Sequence, residues 1–432
     1  MIYAGTPVNL GATDNVGTVI TVNKSVTHQE IWGFGAAVGI SDNAGSSGVN
    51  NFDKLSKDAQ NKALDKLFLN SDDNLGLTII RMPIRPDYFP REGVYQWDDN
   101  NPLVTITQAA QKRFPEMGIT ACPWTPPAWM KTPQNLIGGI LNKENYEKYA
   151  QYLYAWSEKH IKDYGIHVKW ITCQNEPGGA AGWQGCRYPA EDLDEMTSIT
   201  YDIFRANKSP VMIGGPESAG FPKAHTYLER FTKSLPKMDF ITTHIYHNTA
   251  GISDLSKYNK PYMQTETCDG KNPNNSTIQD GLKWGEQIHI VLNWNGNGYL
   301  YWWLACNVDR NKSLLNFNAQ DNTFFVNKRG YIFGQFSRYL RPGDLRVDAT
   351  SSDKELLVTA AKNPSTGVTS VVVTNLSEKD ITATITGLNG NALSGRFTSE
   401  TASLTPINDL KASGSTFTCT FPAKSTTSLR EK

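Results

Sequence analysis

The chain has 432 residues, with 42 Lys and Arg balanced by 42 Asp and Glu, so its formal net charge is zero. That excludes a nucleic-acid binder held by bulk charge, and no apolar stretch approaches the ~18 residues of a membrane span. Charged residues make up 19% of the chain where ~25% is typical, while 11 Trp, 18 Tyr and 17 Phe give an aromatic surplus that needs a use.

The first thirty residues contain one alternating stretch, GTVITVN, read as a lone strand that needs partners elsewhere. From residue 31 to about 340 the chain alternates short apolar runs with amphipathic segments. The runs are IWGFGAA, LTIIRMPI, ITACPW, VKWITCQNE, VMIGG, FITTHIY, YMQTE and YLYWWLA. Segments such as LSKDAQNKALDKLFLN, KENYEKYAQYLYAWSEKHIKD and TIQDGLKWGEQIHIVLNW carry apolar residues at helical spacing. Eight such units over ~300 residues fit an α/β fold, the (β/α)8 TIM barrel, whose strands are buried on both faces and read as continuously apolar. A doubly wound sheet is the alternative, but GFGAAVG lacks the G-x-G-x-x-G spacing of its nucleotide-binding turn.

After Arg341, Pro342 and Gly343 come short β-branched runs divided by Gly, Asn, Ser and Pro, the pattern of an antiparallel sandwich. The expected organisation is a catalytic barrel over 31–340 and a side β-sandwich domain formed from both chain ends, 1–30 plus 341–432. The six Cys have neither zinc-ligand nor C-x-x-C spacing and read as small buried hydrophobes. The opening MIYAGTPVNL lacks the basic start and apolar run of a signal peptide, so secretion can only be inferred from function.

Active sites of such barrels lie at the carboxyl ends of the strands. Glu176 ends the fourth run in CQNEP and Glu266 ends the seventh in QTE, each polar where the residues before it are core. Two carboxyl groups facing across a cleft are what glycosidic cleavage requires, one to protonate the departing oxygen and one to attack or activate water. Arg81, in IIRMP, stands where it would keep a nucleophilic carboxylate ionised. Asn175 offers an amide to a sugar hydroxyl. Tyr246 and His244, in THIYH, are placed to hydrogen-bond Glu266 or the sugar.

Tryptophans concentrate near run ends: Trp32, Trp124, Trp129, Trp183, Trp302 and Trp303. Flat rings there give stacking area for the C–H faces of sugars. Glu217, in GGPES, competes for a catalytic role but lacks a preceding Asn, and Asp87, Glu92 and Asp309 fall in loops. No metal or cofactor is expected.

The motifs WGFGAA, PWTPPAWMK, QNEP and THIYH, in that order, resemble glycoside hydrolase family 30, a family of retaining (β/α)8 enzymes, over essentially the whole chain. The resemblance implies Glu176 as acid/base and Glu266 as nucleophile, with Trp124, Asn175, Tyr246 and Trp302 around the sugar. It is greatest to the bacterial subfamily 8 xylanases, most of which hold a glucuronate branch with an Arg after the strand-eight aromatics. Here Ala305 and Cys306 stand at that place, with Arg310 further on. The expectation is a secreted, monomeric endo-β-1,4-xylanase acting on xylan and xylo-oligosaccharides without dependence on glucuronate. The alternatives are a glucuronate-dependent xylanase, a β-glucosidase, glucosylceramidase or β-1,6-glucanase of the family, and an inactive carbohydrate-binding protein.

Overall fold

The computed structural model describes residues 6–11, 17–38, 52–179, 182–246, 251–269, 276–308 and 312–432. All eight apolar runs are strands: β1 (Gly33–Ala37), β2 (Ile79–Ile84), β3 (Gly118–Pro123), β4 (Val168–Thr172), β5 (Met212–Ser218), β6 (Phe240–His244), β7 (Tyr262–Glu266) and β8 (Gly296–Asn307). They pair in parallel and in chain order, and β8 joins both β7 and β1, which closes the barrel.

Around it lie α1 (Lys57–Phe68), α2 (Pro102–Arg113), α3 (Tyr146–Glu158), α4 (Ala190–Ala206), α5 (Phe221–Leu228), α6 (Ile278–Asn293) and α7 (Lys328–Tyr339). The starts are encoded locally. Ser56 accepts from the Ala59 amide, and Asn101 accepts from the Leu103 amide with Pro102 opening the helix. The alternation is not perfect. Among the described residues, only short 3-10 turns, one of them Ser256–Tyr258, lie between β6 and β7. A hairpin of Ser313–Asn318 and Thr323–Val326, absent from the sequence reading, extends the sheet beyond β8.

The barrel interior changes character over one two-residue step, the repeat that keeps side chains on the same strand face. Ile79, Trp170, Phe240, Met263 and Leu300 form one apolar cluster near the amino-terminal mouth. Trp32 belongs to this plug: it stacks on Trp170 with ring centroids 5.3 Å apart. Its place among the rim tryptophans is therefore corrected, because it precedes β1 and closes the opposite end. The Trp170 ring fits only because residue 118 is glycine, where a Cβ would lie 2.4 Å from it. Two residues further along these strands come Arg81, Thr172, Thr242 and Thr265, all buried and all polar.

Nine strands form the second sheet. Thr18–Glu30 pairs antiparallel with Leu345–Ser351 and parallel with Ile381–Thr386, so the amino-terminal strand completes a sheet made by the carboxyl-terminal region. One face encloses an apolar core that includes Ile20, Val22, Val347, Val371, Phe417 and Leu429. The other packs on α6 and α7 through hydroxyls. His289 of α6 is fully buried, with Nδ1 2.7 Å from Thr359 Oγ1 and Nε2 3.0 Å from Thr374 Oγ1. Burial lowers its pKa to about 3, so it bridges the two domains as a neutral ring. All six cysteines are free thiols; five are buried and Cys268 is half-buried.

Candidate active site

Beyond the apolar plug, the carboxyl ends of the strands carry three glutamates and two cations. Glu266 closes β7, and its side chain is 6% exposed. Arg81 Nη1 donates to its Oε2 at 2.5 Å, and the Tyr246 hydroxyl donates to its Oε1. The other terminal nitrogen, Arg81 Nη2, donates to Asn175 Oδ1 at 2.7 Å and reaches Glu217 Oε2 at 3.3 Å. With its carbonyl oxygen taken by Arg81, Asn175 retains its amide N–H groups as donors on the cleft side. The Asn175 backbone is held by Pro123, and Gln174 Nε2 ties the turn to the Trp124 carbonyl at 2.6 Å.

Glu176 sits four residues past β4 with φ of 46°, and Glu217 is the penultimate residue of β5 with φ of 54°. Both are left-handed conformations that cost a non-glycine residue about 1–3 kcal/mol and persist only where the surroundings enforce them. Here the Glu176 amide donates to the Glu217 carbonyl at 3.0 Å, and the Glu217 amide donates to Thr242 Oγ1 at 3.0 Å. His244 lies between the carboxylates, with Nδ1 3.0 Å from Glu176 Oε1 and Nε2 2.9 Å from Glu217 Oε2.

The charges are strongly interdependent. Burial alone would lower the His244 pKa, but the charge of Glu266 and hydrogen bonds to Glu176 and Glu217 raise it to about 9. Burial resists ionisation of Glu217 as well; Arg81, His244 and Thr265 overcome it and hold that carboxyl down to about 2. At Glu176 the desolvation cost is likewise overcome, mainly by His244 and then Arg81, and its carboxyl is held below the usual range. Glu266 goes the other way: desolvation outweighs His244, Arg81 and Tyr246, so its pKa is raised. Arg81 is therefore bonded to Glu266, as the sequence suggested, yet in the open site it does not offset that residue's burial.

A cleft of about 830 Å3 lies over these groups, lined by Trp124, Asn175, Glu176, Tyr246, Glu266 and Trp302. Trp124 stacks on the Arg81 guanidinium at 4.6 Å and packs against Trp302 at 5.8 Å. Arg81 itself is fully buried beneath. Besides Trp32, two of the tryptophans singled out in the sequence do not line the cleft. Trp303 is 1% exposed and backs the Trp302 ring at 5.2 Å. Trp129 donates from Nε1 to the Phe89 carbonyl at 2.9 Å, within a stack of aromatics outside the cleft. Trp183, at 56% exposure, does line it, as do Ile137, Gln184, Lys223, Cys268 and Lys312, which sequence reasoning did not place. Of the loop acids, Asp87 pairs with Arg85 and Glu92 with Lys148, while Asp309 and Arg310 lie outside the described residues.

Glu176, His244 and Glu266 each present an atom within 4.8 Å of the others, a spacing that would suit a cation. Those groups are engaged, however, by one another, by Arg81 and by the Tyr246 hydroxyl. Arg81 and His244 already place two positive groups against the three glutamates. The arrangement offers two carboxyl groups at the floor of an aromatic cleft, one reached by water and one nearly sealed, which suits acid-assisted displacement at a sugar carbon.

Comparison with known proteins agrees with this chemistry. The profile of the glycosyl hydrolase family 30 TIM-barrel domain matches residues 31–187, and that of the family's β-sandwich domain matches 343–429. The glucuronoxylanase XynC of Bacillus subtilis (strain 168) is 25% identical over 453 residues, covering 99% of this chain and 94% of that protein. Putative glucosylceramidase 3 of Caenorhabditis elegans is 26% identical over 388 residues, covering 78% and 72%. Among solved structures, the family 30 subfamily 8 xylanase Xyn30A of Clostridium acetobutylicum superposes with a TM-score of 0.75 at 25% identity, over 95% of this chain and 99% of that one. Two family domains, in the order and positions of the two sheets, and a paired-glutamate cleft at the barrel mouth lead to one conclusion: the chain belongs to glycosyl hydrolase family 30 and is a glycoside hydrolase.

Proposed function

We propose that the enzyme is a retaining endo-β-1,4-xylanase that does not depend on glucuronate branches, with Glu266 as nucleophile and Glu176 as acid/base. The observation that carries the mechanism is the approach of Glu176 and Glu266, which place a carboxylate oxygen each within 4.8 Å. Carboxyl groups ~5 to 5.5 Å apart belong to double displacement, whereas inversion needs ~6.5 Å or more to admit a water between them. Glu266 attacks the anomeric carbon while Glu176 gives its proton to the departing oxygen; Glu176 then takes a proton from the water that releases the glycosyl group.

In the empty cleft Glu176 is the more acidic of the two, the reverse of what the first step needs. Substrate supplies the inversion. A sugar chain filling the cleft excludes water from Glu176, whose side chain is 22% exposed, and so raises its pKa. Positive charge developing at the anomeric carbon favours ionised Glu266. The proton needed is taken up from solvent, to which the Glu176 side chain is open before the chain binds, and His244 keeps its own.

Xylan as substrate is supported by the xylanase relatives. A polymeric substrate places the enzyme outside the cell. Independence from glucuronate is supported at β8. Ala305 and Cys306 are buried, and Cys306 Sγ is taken up by Ser313 Oγ at 3.0 Å. Lys312 lines the cleft, but a single ammonium lacks the fork with which a guanidinium clamps a carboxylate. It tolerates an acidic branch without requiring one.

The product profile on unbranched xylan, arabinoxylan, glucuronoxylan and cellulose tests this. Oligosaccharides are expected from all three xylans and none from cellulose. Cleavage confined to glucuronoxylan would refute the independence from glucuronate, and cleavage of cellulose alone would refute xylan as the substrate.

A further inference from the structure

The third carboxylate, Glu217, has no part in the two-step reaction, yet it is the most thoroughly bonded acid in the molecule's active end. It is 0% exposed and does not line the cleft. Its Oε1 accepts from Thr172 Oγ1 at 3.1 Å. Its Oε2 accepts from Thr265 Oγ1 at 2.6 Å, from His244 Nε2 at 2.9 Å and from Arg81 Nη2 at 3.3 Å. All four donors are themselves fully buried. A group so enclosed and saturated cannot touch a sugar. It does touch the two cations that touch the reacting glutamates: Arg81 reaches from Glu217 to Glu266, and His244 reaches from Glu217 to Glu176. Its main chain also holds the main chain of Glu176.

We infer that Glu217 is a positioning residue: its buried negative charge keeps His244 doubly protonated and Arg81 aimed at Glu266, and thereby sets the pH range in which the site holds its catalytic proton. This rests on the roles proposed for Glu176 and Glu266.

The geometry argues for it first. Both ring nitrogens of His244 face carboxylate oxygens, which only accept hydrogen bonds when ionised, so each nitrogen must carry a hydrogen. An imidazolium in so dry a place needs a fixed anion. Neither reacting glutamate can serve, because the charge of each changes during the reaction.

Glu176, Glu217 from β5, Glu266 from β7 and Tyr246 face this cation, and Arg81 from β2 and the Cys122 thiol from β3 lie against the same glutamates. Burial raises the pKa of the Cys122 thiol and of the Tyr246 phenol, so both stay neutral. The charge count is then simple. With Arg81 and His244 positive, Glu217 and Glu266 negative and Glu176 protonated, the cluster ready for the first step is neutral. Remove the charge of Glu217 and the same protons leave a buried excess of one positive charge. The cluster then sheds a proton, from His244 or Glu176, at lower pH, and protonation of Glu266 also requires lower pH.

The test is the pH dependence of kcat/KM on xylan for wild type, Glu217→Gln and Glu217→Asp. Glu217→Gln is expected to move both limbs of the profile to lower pH by about 1 to 3 units, the size of one close charge. Glu217→Asp, which keeps the charge, is expected to lose rate with its limbs in the wild-type position. A purely structural role would lower the rate of both variants without moving either limb, and that result, or an equal displacement in the Asp variant, would overturn the inference. Should the Gln variant fail to fold, the imidazole nitrogen NMR signals of His244 in the wild-type enzyme decide: doubly protonated at pH 7 is expected, and a neutral ring would overturn it. If the wild type leaves xylan untouched, the proposed substrate is wrong, whereas the NMR titration still reports on Glu217.

Discussion

Glu266→Gln is expected to lower kcat on xylan by about 10^4-fold or more, the scale on which a missing nucleophile acts. The amide matches the carboxylate in size, so the barrel should keep its melting temperature to within a few degrees. It cannot attack a carbon, however, and one of its termini must accept from Arg81 while the other faces the Tyr246 hydroxyl. With its oxygen toward Arg81, the amide places its NH2 toward the Tyr246 hydroxyl, which can turn to accept from it. The proposed nucleophile is lost while its surroundings are largely kept. Reducing-sugar release with circular dichroism on the same sample measures both. A variant that retains a tenth of wild-type turnover would show that another group attacks.

Glu176→Gln is expected to behave differently according to the substrate. On xylan, whose departing group is a sugar alkoxide, removal of the acid costs about 10^2 to 10^4 in kcat. On an aryl xyloside with an acidic phenol the departing oxygen needs no proton, so formation of the glycosyl enzyme proceeds and its breakdown, now without a base, becomes limiting. KM for that substrate should therefore fall together with kcat. The alkaline limb of the pH profile should flatten as well, since the group that loses its proton there is gone. Equal loss on both substrates would remove Glu176 from the acid role.

The barrel was legible because strands buried on both faces leave uninterrupted apolar runs, and the side domain because β-branched runs divided by turn residues have no other use. The sixth crossover was not, since its described part holds only short 3-10 turns where the repeat suggests a helix. The hairpin beyond β8 was hidden by Asn and Gln within SLLNFNAQ, which dilute the apolar signal.

In the site, strand ends led to Glu176 and Glu266, but composition alone could not say which tryptophans share the cleft. Strand parity would not have separated them. Trp302 and Trp303 are neighbours on one strand, yet a register shift between Tyr301 and Trp303 lets their rings stack 5.2 Å apart, and only burial tells the cleft-lining ring from the one behind it. Trp32 lies before β1 and so belongs to the other mouth. Glu217 was weighed as a catalytic competitor because it lies near a strand end as the others do. Its enclosure by Thr172, Thr265, Arg81 and His244 comes from four other strands, and no local spacing reveals that.

The approach of Glu176 and Glu266 to within 4.8 Å is the observation on which double displacement rests, and the configuration of the newly formed product addresses it most directly. Proton NMR of the anomeric region during the first minutes of xylo-oligosaccharide hydrolysis, before mutarotation, would report it. Double displacement predicts that the β-anomer appears first and the α-anomer grows in only as the mixture equilibrates. An initial α-anomer would mean direct attack by water, and would contradict both the nucleophilic role of Glu266 and the reading of the cleft as that of a retaining enzyme.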